Sequence, residues 1–157
     1  MGKVVVRMKE RSEEMATKVN NILFYGIYKV LGAGARGLGN SMGEELLREM
    51  MEEYGLNFEG STDPQELLNR FTEVMVNTLG FSEEGEVDVQ GNKVVLRLKK
   101  PMDLYAFQLL KKKGIKPAVY PMANAVAAAI KDFSGKNVLI KGIDVKDDSI
   151  EVEMLIL

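Results

Sequence analysis

The sequence contains no cysteine and no histidine. Without thiols there is no disulfide, no thiolate nucleophile, no zinc–thiolate site and no iron–sulfur cluster. Without imidazole there is no haem held by a proximal histidine and no Ser-His-Asp triad. Long hydrophobic runs are missing as well. No apolar stretch approaches the roughly 20 residues that cross a bilayer. The opening MGKVVVRMKERSEE turns highly charged after three valines, which leaves no signal-peptide core. A cytoplasmic protein with no membrane insertion is therefore expected. Charge of one sign is also scarce, with 21 basic against 23 acidic residues and a net charge of −2. Duplex nucleic acid would want clustered Lys and Arg. The one basic run is Lys111-Lys112-Lys113, so no nucleic-acid partner is expected.

What is present is an ordinary globular balance, 46% hydrophobic and 28% charged over 157 residues. The length suits one domain, residues 1–157, with 1–11 as an N-terminal strand or arm. Alternation of Val4, Val6 and Met8 predicts a short strand over Lys3–Met8. Ser12 offers an N-cap, and Met15, Val19, Ile22, Gly26 and Val30 predict a helix from about Glu13 to Leu31. A glycine-rich stretch, Gly32 to Gly39, leads into a second helix through Met42, Leu46, Leu47, Met50 and Met51, stopped by Gly55. A third helix has Asp63 as N-cap, Pro64 at N1 and Glu66 at N3, a capping-box pattern. Leu67, Phe71, Met75 and Leu79 form its stripe, and Gly80 closes it.

A hairpin turning at Gly91-Asn92 pairs Val89 with Val94 and Val87 with Leu96 on one face, and Glu86 with Arg97 on the other. A fourth helix is predicted from about Asp103 to Lys113, with Leu104, Phe107 and Leu110 inward. Pro121 opens a fifth, to about Phe133, closed by Gly135. A final hairpin with its loop at Asp147-Asp148 pairs Val145 with Ile150 and Ile143 with Val152. The fold class is α+β: an antiparallel sheet of two hairpins packed on about five helices.

Gly32, Gly34 and Gly37 spell G-x-G-x-x-G ahead of a helix, with Glu59 about 20 residues on. In a dinucleotide fold such glycines let pyrophosphate approach a helix N-terminus. Here the preceding residues continue a helical stripe rather than a strand, which favours glycines that let two helices turn and pack. Arg36 beside Gly34 and Gly37 could hold an anion, or could be a solvated residue at a helix start. Lys111 to Lys113 complement the macrodipole at a helix end. The acidic pairs Glu52-Glu53, Glu83-Glu84 and Asp147-Asp148 have no metal-ligand spacing. Ten methionines and several aromatics remain, suited either to core packing or to the walls of an apolar pocket. The candidate ligand-binding residues are Phe24, Tyr28, Tyr105, Phe107, Met122 and Val126. No catalytic residue, metal ligand set or cofactor is expected.

The order of elements resembles the superfamily of small ligand-binding domains related to 4-vinyl reductase, which includes haem-based NO-binding domains and transport-protein-particle (TRAPP) subunits. Gly34-Ala35-Arg36-Gly37-Leu38-Gly39-Asn40-Ser41-Met42-Gly43 is similar to the small-residue start of their second helix. Pro121 to Ile130 with the closing hairpin carries the rest, and the resemblance spans about Asn20 to Leu157. It implies a hydrophobic small-molecule pocket and dimerisation. Family members that bind zinc, haem or an acyl chain do so through cysteine or histidine, none of which this chain has. The leading reading is a non-enzymatic sensor or carrier of a small apolar molecule. It acts as a homodimer through the first or second helix, with Gly26, Gly39 and Gly43 permitting close approach. One alternative is a nucleotide-binding enzyme using residues 32–37; another is a scaffold subunit with a protein partner.

Overall fold

The computed structural model describes residues 4–7, 12–61 and 63–157. Helix α1 spans Glu13–Leu31, and the Ser12 hydroxyl accepts from the Met15 N–H at 3.1 Å to satisfy one orphan donor of its first turn. Gly32 takes the left-handed φ of +51° that ends α1. A single 3₁₀ turn, Gly32–Gly34, then leads straight into α2, Ala35–Glu53. Helix α3, Pro64–Glu73, starts where the capping signal puts it, with the Asp63 carboxylate accepting from the Gln65 N–H at 3.0 Å. The reciprocal half of the capping box is not made. Glu66 pairs instead with Arg70 at 2.7 Å. The stripe expected to run on to Leu79 passes into a wider π-helical turn, Val74–Thr78.

Strands β1 (Glu84–Gln90) and β2 (Lys93–Lys99) form the first hairpin, and β3 (Val138–Val145) and β4 (Ser149–Ile156) the second. Helices α4 (Leu104–Lys112) and α5 (Pro121–Ser134) lie between them in sequence. The registers are those the alternation predicts: Val89↔Val94, Val87↔Leu96 and Glu86↔Arg97 in one hairpin, Val145↔Ile150 and Ile143↔Val152 in the other. Pairing of β2 with β4 joins them into one antiparallel sheet, ordered β1-β2-β4-β3.

One sheet face is apolar. Val94, Leu96, Ile150, Val152 and Met154 are fully buried beneath a layer of α3, α4 and α5. The other face carries charges, with Arg97 bridging Glu86 and Glu151 at 3.3 and 3.1 Å and Lys99 meeting Glu84 at 3.0 Å. Helices α1 and α2 form an outer layer, α1 on α4 and α2 on α5. The α2–α5 contact is very close. A Cβ on Gly39 would stand 2.5 Å from Val119 Cγ2, and one on Gly43 would overlap the Asn124 carbonyl.

Two expectations are corrected. Val4–Arg7 contain no strand, and Val4 and Val6 are exposed; Lys3 and Met8 lie outside the described residues. The dinucleotide reading of Gly32, Gly34 and Gly37 fails because a helix, not a strand, precedes them and every strand pair is antiparallel. Nothing approaches a Cβ built on any of the three, so the fingerprint is a helix–helix corner. Among the described residues, no helix is long and apolar enough to cross a membrane.

Candidate functional site

The outer helix layer does not close completely on the inner one. A cavity of about 680 Å³ remains, walled by Phe24 and Tyr28 of α1, Met42 and Leu46 of α2, Leu79 and Phe81 after the π-helical turn, and Met122 at the start of α5. The π turn adds a residue to the helical repeat immediately before Leu79. Such widened turns re-aim the side chains that follow them.

The polar residues of the wall are Tyr28, Asp103, Ser41 and Glu45. Asp103, the residue before α4, is a member of the wall and only 8% exposed. Its position should make it the cap of α4, yet its side chain makes no capping bond. The carboxylate instead accepts from the Tyr120 hydroxyl at 3.0 Å. Asn21 supplies the cap from α1: its Oδ1 accepts from the Ala106 N–H at 2.9 Å, while its Nδ2 donates to the Met102 and Thr17 carbonyls, each at 2.7 Å. One buried amide thus ties α1 to α4 and frees Asp103 to turn toward the cavity. The Tyr28 hydroxyl, also buried, has no hydrogen-bond partner among the described residues. Behind it Phe107 packs, with tilted rings, between Tyr28 and Tyr120, their centroids 5.4 and 4.9 Å away.

Burial dominates the electrostatics here. It pushes the Asp103 carboxyl up to about 7, even though the Tyr120 hydrogen bond opposes the rise. Burial first, and then the Asp103 charge, raise the Tyr28 and Tyr120 hydroxyls well above the ordinary tyrosine value, so both stay protonated. The other charged wall residue is Glu45, at the exposed mouth, where it meets Arg48 at 2.9 Å.

Of the six residues singled out from sequence, Phe24, Tyr28 and Met122 are brought together on the cavity wall. Phe107 and Val126 are fully buried in the core, one layer behind it. Tyr105 is 49% exposed and belongs to neither, because it lies about 100° around α4 from Leu104 and about 160° from Phe107. The proposed anion group is also dispersed: Gly34, Arg36 and Gly37 are all exposed, on the helix corner. Sequence reading missed Asp103, Met42, Leu46, Leu79 and Phe81 as wall residues. Asp103 looked like a helix start, and no local signal says that Asn21 has taken that task.

Among the described residues, no group of three or more acidic side chains is placed to hold a metal ion. A family model described as "Putative rubredoxin C-terminal domain" matches residues 15–155. Thiolate-held iron has no ligand in a chain without cysteine. No curated protein matches the sequence. Among solved structures the chain is similar to a Fe(II) unliganded H-NOX point mutant from K. algicida, at 13% identity and a TM-score of 0.46, over 78% of this chain and 63% of that one. It is also similar to an H-NOX structure that probes heme distortion, at 10% identity and a TM-score of 0.47, over 98% and 77%. A point mutant of T. tengcongensis H-NOX gives 8% identity and 0.47, over 98% and 79%.

Proposed function

The chain belongs to the rubredoxin C-terminal domain family, and from that premise we propose that residues 1–157 form one binding unit for a small apolar molecule. It acts as a sensor or carrier and performs no chemistry of its own. The cavity of about 680 Å³ carries this reading. Its size lies within the roughly 300–1,000 Å³ of small-molecule sites, and it has their usual make-up of apolar walls with few polar groups. The walls offer no thiol or imidazole for covalent or acid–base turnover. The element-order resemblance to 4-vinyl reductase-like and TRAPP domains supports the same reading, and with it a cytoplasmic protein that needs no cofactor.

We further propose a homodimer through α1. Val19, Ile22, Leu23, Ile27 and Val30 of this helix are all more than half exposed. Such a stripe on one helix is an association surface or an aggregation liability. Antiparallel pairing about a twofold axis sets Glu13 and Glu14 of one copy near Lys29 of the other. Gly26 is open, with nothing near a built Cβ, and permits close approach. Gly39 and Gly43, also expected at an interface, are already used against α5 and cannot serve it.

Native mass spectrometry tests both statements. The expected species has twice the 17.5 kDa of one chain plus the mass of a retained small molecule. Leu23→Lys with Ile27→Lys should shift it to one chain while leaving the ligand in place. A bare single chain at micromolar concentration, unchanged after incubation with apolar extracts, would sink both.

A further inference from the structure

With the cavity taken as a small-molecule site, its polar residues narrow the class of ligand, and the assignment of that class rests on that reading. Asp103 is buried on the wall, and Tyr120 occupies one of the roughly four acceptor positions of its carboxylate. Tyr28 belongs to the same wall, and its buried hydroxyl has no partner among the described residues. Buried polar groups are normally satisfied, and an orphan in a wall is an unfilled half of a hydrogen bond. A pure hydrocarbon would leave it so. Among the described residues, the charged ones on the wall are Asp103 and, at the exposed mouth, Glu45, with no lysine or arginine beside them. An anionic head, such as that of a fatty acid, would therefore find no cation among the described wall residues to pair with. A protonated amine donates to the Asp103 carboxylate and to the Tyr28 oxygen together.

We propose that the ligand is an apolar molecule carrying a single ammonium head, seated between Asp103 and Tyr28 with its body against Phe24, Met42, Leu46 and Met122. The bond is noncovalent and the ammonium keeps its proton. Asp103 releases its own on binding, so affinity rises with pH until the carboxyl is ionised in the free protein. The titratable groups facing Asp103 are Tyr28 from α1, Tyr120 ahead of α5, and Glu45 from α2 at the mouth. Both tyrosines stay protonated through this range, which leaves Asp103 as the buried wall group that titrates.

Calorimetric titration with 4-phenylbutylamine, 4-phenylbutanol and 4-phenylbutanoate tests this. At pH 8 the amine should bind at least tenfold more tightly than the alcohol, and the carboxylate weakest. Amine affinity should fall close to tenfold per pH unit below about 7, with the alcohol unaffected. Asp103→Asn should remove the amine's advantage and its pH dependence while keeping alcohol binding. Tyr28→Phe, a milder change, should lower the advantage severalfold. An alcohol bound as tightly as the amine, or an amine indifferent to Asp103→Asn, overturns the ammonium assignment and leaves the cavity reading standing. Failure of all three to bind overturns both.

Discussion

Gly43→Leu is expected to destabilise the protein by about 3 kcal/mol or more, at or beyond the upper end of overpacking costs. A Cβ at this position overlaps the Asn124 carbonyl carbon and oxygen. Those atoms belong to the backbone of α5, whose interior residues Ala123, Ala125, Val126 and Ala129 are completely buried and cannot shift outward. Gly39 lies one turn earlier on the same face of α2, with Val119 Cγ2 at 2.5 Å and the Asn124 amide nitrogen at 2.9 Å from a built Cβ. The matched control is Gly37→Ala, also helical, where nothing approaches the added methyl. There the gain in helix propensity should stabilise by about 0.5–1 kcal/mol. Thermal or urea unfolding of both variants checks the pair. Equal and small effects at Gly37 and Gly43 would mean that α2 does not pack on α5 as described.

A second large effect concerns pH. The Asp103 carboxyl moves from 3.8 to about 7 on folding, chiefly through burial. Between these values the unfolded chain has lost the proton that the folded protein still holds. Stability therefore falls as pH rises through this window, and above about 7 the loss is complete. Three units correspond to about 4 kcal/mol. Asp103→Asn removes this contribution while keeping an oxygen to accept from Tyr120. The variant should match the parent near pH 4 and exceed it by up to about 4 kcal/mol at pH 8. Urea midpoints at the two pH values give the answer, because the other carboxylates cancel in the difference. A variant offset by the same amount at both pH values would show that Asp103 is not held protonated by burial.

The parts of the fold that could be read from sequence are those whose determinants are local. Both hairpin registers follow from alternation plus a turn, since slipping one residue would expose Val87 and Val89 and bury Glu86. The ends of α1 and α3 follow from Ser12 and Asp63 beside them. Tyr105 could have been placed outward by the same periodicity that put Leu104 and Phe107 inward; being aromatic was not evidence of lining a site. The place of Asp103 in the cavity wall was not legible, because Asn21 and Ala106 meet across 85 positions. The G-x-G-x-x-G pattern was legible but ambiguous, and the element ahead of it settled the matter.

Helix α1 has one further consequence. Of its 19 residues only Asn21 and Tyr28 are buried, yet Phe24 and Tyr28 form one wall of the cavity. A wall held so lightly can swing away at a fraction of the free energy that melts the sheet, so its amides should exchange with deuterium well ahead of those in β2 and β4. For the small molecule proposed above, that motion would be a way in and out. The same helix carries the surface proposed for the second copy, so the proposed assembly would bolt the door. By linkage, any factor by which that proposed assembly tightens the hold on a bound molecule is also the factor by which the molecule tightens the assembly, whatever happens to the rate of opening.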